Sequence, residues 1–353
     1  YLYDKVLNWF WNTRYEGLYS IGIDRIKELA AGNTIIYAPS HRSHIDYLAL
    51  SHQLYLNNLM MPQIVAGKNL NLPIIGPILR NGGAFFMRRS FGNNKLYSRV
   101  FYEHLRKLLQ RGSSIEFFPE GGRSRSGRLL PPRPGIISML IRAFQDMDEK
   151  PVKFVPISMN YEKVLEGNSY HKEAMGDAKK RESLRSILRV AKDFRGYLGN
   201  AYLQIGEPID LKEFLDDNFE NWTNNIISEE LDNSPTQQWL YDLTPKLGKE
   251  IMKNINKATV VTPSALFASA ILNANKFRLS KEKLKSRISL YTNLIKLSDY
   301  SEQISIPECD PEQVLQKVEK LQLINKLSNS KKIQLNFQQA AMLSFYKNNI
   351  SHL

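Results

Sequence analysis

An α/β sheet flanked by helices and followed by a smaller all-helical domain is the fold this sequence predicts, on three observations. Up to about Leu211, short β-rich runs alternate with longer helical ones. After Leu211 the character changes: an acidic, Asn-rich stretch from Asp216 to Asp232 intervenes, and from Ser234 the pattern is helical and basic. No tandem repeat or low-complexity tract is present. Alternation of this kind argues for a sheet covered by helices on both faces.

The strand candidates are residues 34–38, 63–66, 84–87, 114–118, 154–158 and 202–205. Between them, helical patterns cover 45–55, 95–110, 135–144 and 184–194; Leu96, Val100, Leu105 and Leu108 recur at spacings of three to five, near a helical period. The chain therefore divides into an aromatic, amphipathic helical segment (1–30), an α/β domain (31–212), a linker (213–233) and a helical domain (234–353), with breaks expected at Pro263, Pro307 and Pro311. A start at Tyr1 and a stop at "YKNNISHL" read as internal, so the chain is expected to be a piece of something longer.

Charged residues make up 24% of the 353 positions, and the formal net charge is +13. That excess favours anionic partners: acidic headgroups, phosphorylated substrates or nucleic acid. The single cysteine, Cys309, excludes an internal disulfide and a cysteine-rich metal site. No stretch reaches the roughly 18–20 apolar residues a membrane span needs. Residues 260–272 come nearest but are short and contain Pro263. Membrane contact would be interfacial, with Trp9, Phe10, Trp11 and Tyr15 beside Lys5 and Arg14 as an anchor, or the same helix packs on a core. Residues 72–79, broken by Pro73, Gly76 and Pro77, either admit an acyl chain or form a buried loop and helix start.

Four segments carry chemistry. The run 34–38 leads into "SHRSHIDYLAL", which places His41 just past a strand end and Asp46 at the start of the next helix. A carboxylate holding one imidazole nitrogen while the other faces a substrate is the arrangement of a general base. Taken alone the pair also fits a surface histidine. His44, the rival, has Ala49 where its aspartate would stand. The second segment, "GGAFFMRR", ends in Arg88 and Arg89, forked donors suited to phosphate or to a salt bridge. The third, "IEFFPEGGRSRSGR", sets Glu120, the Gly121–Gly122 turn, Arg123, Ser124 and Arg125 directly after a strand. Glycines allow close backbone approach, and the hydroxyl and guanidinium groups offer donors to an anion. The fourth, "KFVPISMNYE", carries Val155 and Pro156 in an apolar strand, where a proline usually marks an edge or a bulge.

In this order the four segments resemble the motifs of the glycerolipid acyltransferase superfamily: His-x₄-Asp at His41 and Asp46; Gly…Phe-x-x-Arg at Gly83, Phe86 and Arg89; Glu-Gly-x-Arg-Ser at Glu120, Gly121, Arg123 and Ser124; and the apolar proline strand at Val155, Pro156 and Ile157. Within it the chain is most similar to the bacterial membrane-bound glycerol-3-phosphate acyltransferases of the PlsB type, over residues 30–212 and more loosely beyond. The resemblance implies a mixed sheet and transfer of a long-chain acyl group from acyl-CoA or acyl carrier protein to the sn-1 hydroxyl of glycerol 3-phosphate. It implies no cofactor and no metal, and a place on the cytoplasmic face of the inner membrane without a spanning helix in this chain. His41 would be the base and Asp46 its orienting acid. Arg88, Arg89, Glu120, Gly121, Gly122, Arg123, Ser124 and Arg125 would hold the polar substrate, and Phe86, Val155 and Pro156 would line the acyl chain or wall. Dihydroxyacetone phosphate and lysophosphatidate are the alternative acceptors; Gly122 stands where lysophosphatidate enzymes usually have Thr, which favours glycerol phosphate. A nucleic-acid partner is disfavoured, because the chain carries no zinc spacing, RNA-binding aromatic motif or groove-reading basic helix.

Overall fold

The computed structural model describes residues 2–73, 75–88, 94–146, 150–174, 196–220, 222, 235–325 and 332–353. Its α/β part runs α1 (Leu2–Arg14), β1 (Gly17–Ile21), α2 (Ile23–Ala30), β2 (Thr34–Pro39), α3 (Asp46–Leu56), β3 (Gln63–Gly67), α4 (Ile75–Asn81), β4 (Ala84–Met87), α5 (Lys95–Gln110), β5 (Ile115–Glu116), α6 (Pro134–Gln145), β6 (Val152–Tyr161), α7 (Gly167–Ala174), β7 (Asn200–Ile205), β8 (Ile209–Asp210) and α8 (Leu211–Asn218). The remainder is α9 (Pro235–Lys257), α10 (Pro263–Leu272), β9 (Arg278–Ser280), α11 (Lys281–Lys296), α12 (Pro311–Lys320), β10 (Lys332–Gln334) and α13 (Phe337–Asn349). All six expected strands are present. The expected helix at 184–194 lies outside the described residues.

The strands form one mixed sheet in the order β1-β7-β6-β2-β5-β3-β4, with β8 also pairing β6. β2, β5, β3 and β4 are parallel neighbours, while β7 and β8 run antiparallel to β6. Every residue of β2 is buried, and the period-2 alternation sends its side chains to two different cores. Ile36 and Ala38 join Leu105, Ile141 and Phe154 under α5 and α6. Ile35 and Tyr37 join Ile26, Leu50 and Leu203 on the opposite face. A strand apolar on both faces is what a helix-covered parallel sheet requires.

Three expectations change. Residues 1–30 are not wholly helical: Gly17–Ile21 pair in parallel with β7 as an edge strand. Helix α1 packs by Trp11, and Tyr15 follows just after it, each 3% exposed, while Trp9 stays 62% exposed. Pro156 marks neither an edge nor a bulge, since β6 is central. Its carbonyl accepts from Gly206 N–H at 2.8 Å, and a strand residue's nitrogen and carbonyl point to the same side. The ring nitrogen therefore faces the gap where β6 changes partner from β8 to β7, and no ladder bond is lost.

The helical region is neither entirely helical nor entirely separate. β9 and β10 make a two-stranded antiparallel ribbon, and α9 buries Trp239, Leu243, Leu247 and Ile251 in the same core as α5 and α6. Helices α10 to α13 build a second core with Val164 and Tyr170 of the α/β part. Pro263 and Pro311 begin helices α10 and α12 at their first turn, where the missing N–H costs nothing. Among the described residues no helix is long and apolar enough to cross a membrane.

Candidate active site

The parallel strands deliver their carboxyl ends to one side of the sheet, where α/β proteins expose functional groups. β2 ends at Pro39 and the chain turns through residues 40–45 into α3. Ser40 is held twice, its N–H donating to the Ile157 carbonyl at 2.8 Å and its hydroxyl accepting from Met159 N–H at 2.9 Å. Asp46, fully buried, folds its carboxyl back over the loop. Oδ2 accepts from the N–H groups of Arg42 (2.6 Å) and Ser43 (2.9 Å) and lies 2.9 Å from His41 Nδ1. Oδ1 accepts from the Tyr161 hydroxyl at 2.6 Å. Burial, and then the Asp46 charge, pushes the Tyr161 pKa well up and keeps it a donor. Four converging donors give Asp46 one orientation. An imidazole tied through Nδ1 presents Nε2 for proton transfer. Phe118 stacks on the His41 ring with centroids 4.0 Å apart, and the side chain remains 15% exposed.

The loop after β5 closes on the same histidine. Buried Glu120 accepts His41 N–H through Oε1 and Leu130 N–H through Oε2, both at 2.7 Å. Ser124 N–H donates to the His41 carbonyl at 2.8 Å, and the buried Ser124 hydroxyl donates to the Arg128 carbonyl. The backbone of His41 is therefore fixed at both its polar groups by the third segment. Burial raises the Glu120 pKa, opposed by the Arg42 charge and these amides. Gly121 has φ +64°, and a Cβ there would press on the Arg133 side chain; Gly122 faces open space.

Arg123 Nη1 donates to Glu166 Oε1 (3.3 Å) and to the Tyr170 hydroxyl (3.1 Å). Glu166 also accepts from the Ser43 hydroxyl (2.7 Å) and His44 N–H (2.8 Å), while Tyr170 donates to the Arg42 carbonyl at 2.9 Å. Burial raises the Glu166 pKa, and the Arg123 charge offsets part of that. Arg125 pairs with Glu173. From the C-terminal region, Asn348 Nδ2 donates to the Ser126 carbonyl at 2.8 Å. Gly127, at φ +87°, lies so close to α13 that a Cβ would run into the Phe345 carbonyl. A cavity of about 140 Å³ separates Arg125, Ser126 and Tyr170 from Met342 and Phe345 of α13.

Residues 170–353 match the family model for the glycerol-3-phosphate acyltransferase C-terminal region, and residues 20–160 match the acyltransferase model. The chain belongs to the glycerol-3-phosphate acyltransferase family. Curated proteins named glycerol-3-phosphate acyltransferase from Pseudomonas paraeruginosa and Pseudomonas fluorescens are each 39% identical to it over 352 residues, 99% of this chain and 42% of theirs. The protein of that name from Pseudomonas savastanoi pv. phaseolicola is 38% identical over the same shares. The chain thus spans under half the length of these relatives. A solved structure, the 1-acyl-sn-glycerophosphate (LPA) acyltransferase PlsC from Thermotoga maritima, aligns over 70% of this chain and 76% of its own with 16% identity and a TM-score of 0.36, too distant to carry a residue correspondence.

In this family member, His41, Asp46, Glu120, Gly121, Arg123, Ser124 and Arg125 converge on one loop assembly. Arg88 stands elsewhere on the same side of the sheet, exposed, with its guanidinium 4.7 Å from the Tyr97 ring centroid. Two strands, β5 and β3, separate β4 from β2, about 14 Å at ordinary strand spacing. Arg89 lies outside the described residues. Phe86 is half-buried under Arg80, 5.1 Å from its ring centroid, while Val155 and Pro156 are buried beside Tyr37 and Ala38. Residues 72–79 end in α4, with Leu79 buried and Ile78 45% exposed. Among the described residues no group of three or more His, Cys, Asp or Glu is placed to hold a metal ion.

Sequence reasoning passed over Arg42, Phe118, Tyr161, Glu166 and Tyr170. Arg42 and Phe118 adjoin recognised motifs and were within reach. Tyr161, Glu166 and Tyr170 sit at no fixed spacing from His41, and only the fold brings them in.

Proposed function

We propose that the full-length protein transfers a long-chain acyl group from acyl-CoA or acyl carrier protein to the sn-1 hydroxyl of glycerol 3-phosphate. The observation that carries this reading is the 2.9 Å contact between His41 Nδ1 and a buried, fourfold-bonded Asp46, in a chain of this family. His41 Nε2 takes the hydroxyl proton as that oxygen attacks the thioester carbonyl. The tetrahedral intermediate then collapses: the C–O bond is kept, the C–S bond breaks, and the proton passes to the departing thiolate. Asp46 orients the ring and stabilises its cationic form. No acyl-enzyme is needed, and Cys309 lies in the C-terminal core rather than at this site.

The same reading places the protein at the inner-membrane surface. Its support is the set of large apolar side chains left outside: Trp9, Met60, Leu96 and Val100 are each more than half exposed, on a chain of net charge +13. Aromatic and aliphatic groups among cations suit an acidic headgroup layer.

The test is thiol release from a long-chain acyl-CoA by full-length enzyme in mild detergent with lipid, with glycerol 3-phosphate, dihydroxyacetone phosphate and lysophosphatidate as acceptors. Release dependent on glycerol 3-phosphate is expected. Release with only another acceptor would move the substrate and keep the base. No release with any acceptor, from either acyl-CoA or acyl carrier protein, would end the proposal.

A further inference from the structure

Among the described residues, no counter-ion is bonded to the buried guanidinium of Arg42. Arg42 follows the proposed base directly, is 5% exposed, and has both Nε and Nη1 buried without a hydrogen-bond partner. Its backbone is firmly placed: the N–H donates to Asp46 Oδ2 and the carbonyl accepts from Tyr170. Glu120 and Asp46 are close enough for their charges to act on the guanidinium, as does Tyr170. Neither carboxyl bonds it, however. Both oxygens of Glu120 receive backbone N–H groups, and both oxygens of Asp46 are taken by His41, Arg42 N–H, Ser43 N–H and Tyr161.

Two arginines of the loop after β5 are engaged differently. Arg123 is bonded to Glu166 and Tyr170, and Arg125 is paired with Glu173. Burying a guanidinium with idle donors is expensive, and such groups are found where a ligand completes them. A planar fork of N–H donors matches two oxygens of a phosphate, and neither nearby carboxyl is bonded to it.

We infer that Arg42 is the buried phosphate ligand of the acceptor site, its idle Nε and Nη1 donors receiving the phosphate of glycerol 3-phosphate beside His41. This rests on the function proposed above and names the residue that anchors the acceptor. It shifts the main phosphate contact from the arginines of the glycine turn to the loop that carries the base. Acyl-CoA also bears phosphates, so the two substrates must be separated.

The experiment uses full-length enzyme with Arg42→Gln and Arg42→Lys, read in two ways. In steady state, Arg42→Gln is expected to raise KM for glycerol 3-phosphate about 10- to 100-fold, with KM for acyl-CoA within about twofold; Arg42→Lys recovers part of the loss. In thermal unfolding, inorganic phosphate and glycerol 3-phosphate each stabilise the wild type, and Arg42→Gln abolishes both shifts. The inference is overturned if KM for glycerol 3-phosphate is unchanged, if KM for acyl-CoA rises equally or instead, if only kcat falls, or if phosphate still protects Arg42→Gln. Should the wild type transfer no acyl group to glycerol 3-phosphate, the functional reading fails, while the phosphate-protection arm still decides the role of Arg42.

Discussion

The two loops that meet at His41 are held by different parts of the chain. The loop after β2 is tied by Asp46 to residues 41, 42 and 43, and otherwise by residues of the α/β part, among them Glu120, Ser124, Met159, Tyr161, Glu166 and Tyr170. The loop after β5 is tied by residues far along the chain. Arg123 reaches Glu166 and Tyr170, Ser126 accepts from Asn348, and Gly127 nests against Phe345. The proposed catalytic pair takes its hydrogen bonds from within the α/β part. A binding loop built from distant ones holds its shape only when the C-terminal region is docked. The difference suggests a division of labour: the proposed base and the Arg42 phosphate contact on the first loop, and coupling of the acceptor site to the C-terminal helices through the second.

The most severe break falls on the loop after β2. Asp46→Asn should lower kcat about 10²- to 10⁴-fold by losing the hold on the His41 tautomer, with KM for glycerol 3-phosphate little changed. A KM effect as large as the kcat effect would merge the two roles. Next comes the residue that joins both loops. Glu166→Ala removes the carboxylate partner of Arg123 and the acceptor of the Ser43 hydroxyl and His44 N–H, and should cost about 3–5 kcal/mol in chemical denaturation, because one partner of a buried pair is removed; Glu166→Gln should cost less.

Gly127→Ala then tests the distant ties alone. At φ +87° and against the Phe345 carbonyl, the methyl group should cost roughly 2–4 kcal/mol and raise KM for glycerol 3-phosphate more than it lowers kcat. Unchanged kinetics would uncouple α13 from the acceptor site.

The smallest effect belongs to an exposed tie at the other end of the C-terminal region. Glu16, just before β1, bonds Lys317 of α12, and that bond, with help from Tyr197, lowers its pKa from 4.5 to about 2. A carboxyl depressed in the folded state adds stability above pH 4.5, and that contribution disappears as pH falls toward 2. The wild type should therefore lose slightly more melting temperature than Glu16→Gln between pH 6 and pH 3, and 0.5 M salt should shrink the gap. Equal losses would remove this tie from the account.

Much of this was readable before any coordinates. Runs such as "TIIYAP" and "KFVPISMNY" are apolar at successive positions because β2 and β6 face a core on each side, so composition alone marks them. β1 escaped because "GLYSI" is short and follows a helix rich in aromatics; its parallel pairing with β7, some 180 residues on, leaves no local trace. The ribbon of β9 and β10 hides for the same reason. At the site, His41, Asp46 and Glu120 were legible because strand ends announce themselves and the motif spacings are short. Glu166 and Tyr170 were not, since their roles depend on α7 folding over the loops. Nor could the sequence separate Arg42 from Arg123, two arginines in polar turns, one with idle buried donors and one bonded to Glu166 and Tyr170.

The most direct test of the division of labour is His41→Ala in the full-length enzyme, assayed for both turnover and stabilisation by glycerol 3-phosphate. The account predicts turnover reduced by at least about 10²-fold, with the ligand-induced rise in melting temperature retained. Turnover near that of the wild type would contradict the assignment of the base, and loss of the thermal shift along with turnover would contradict the separation of chemistry from binding.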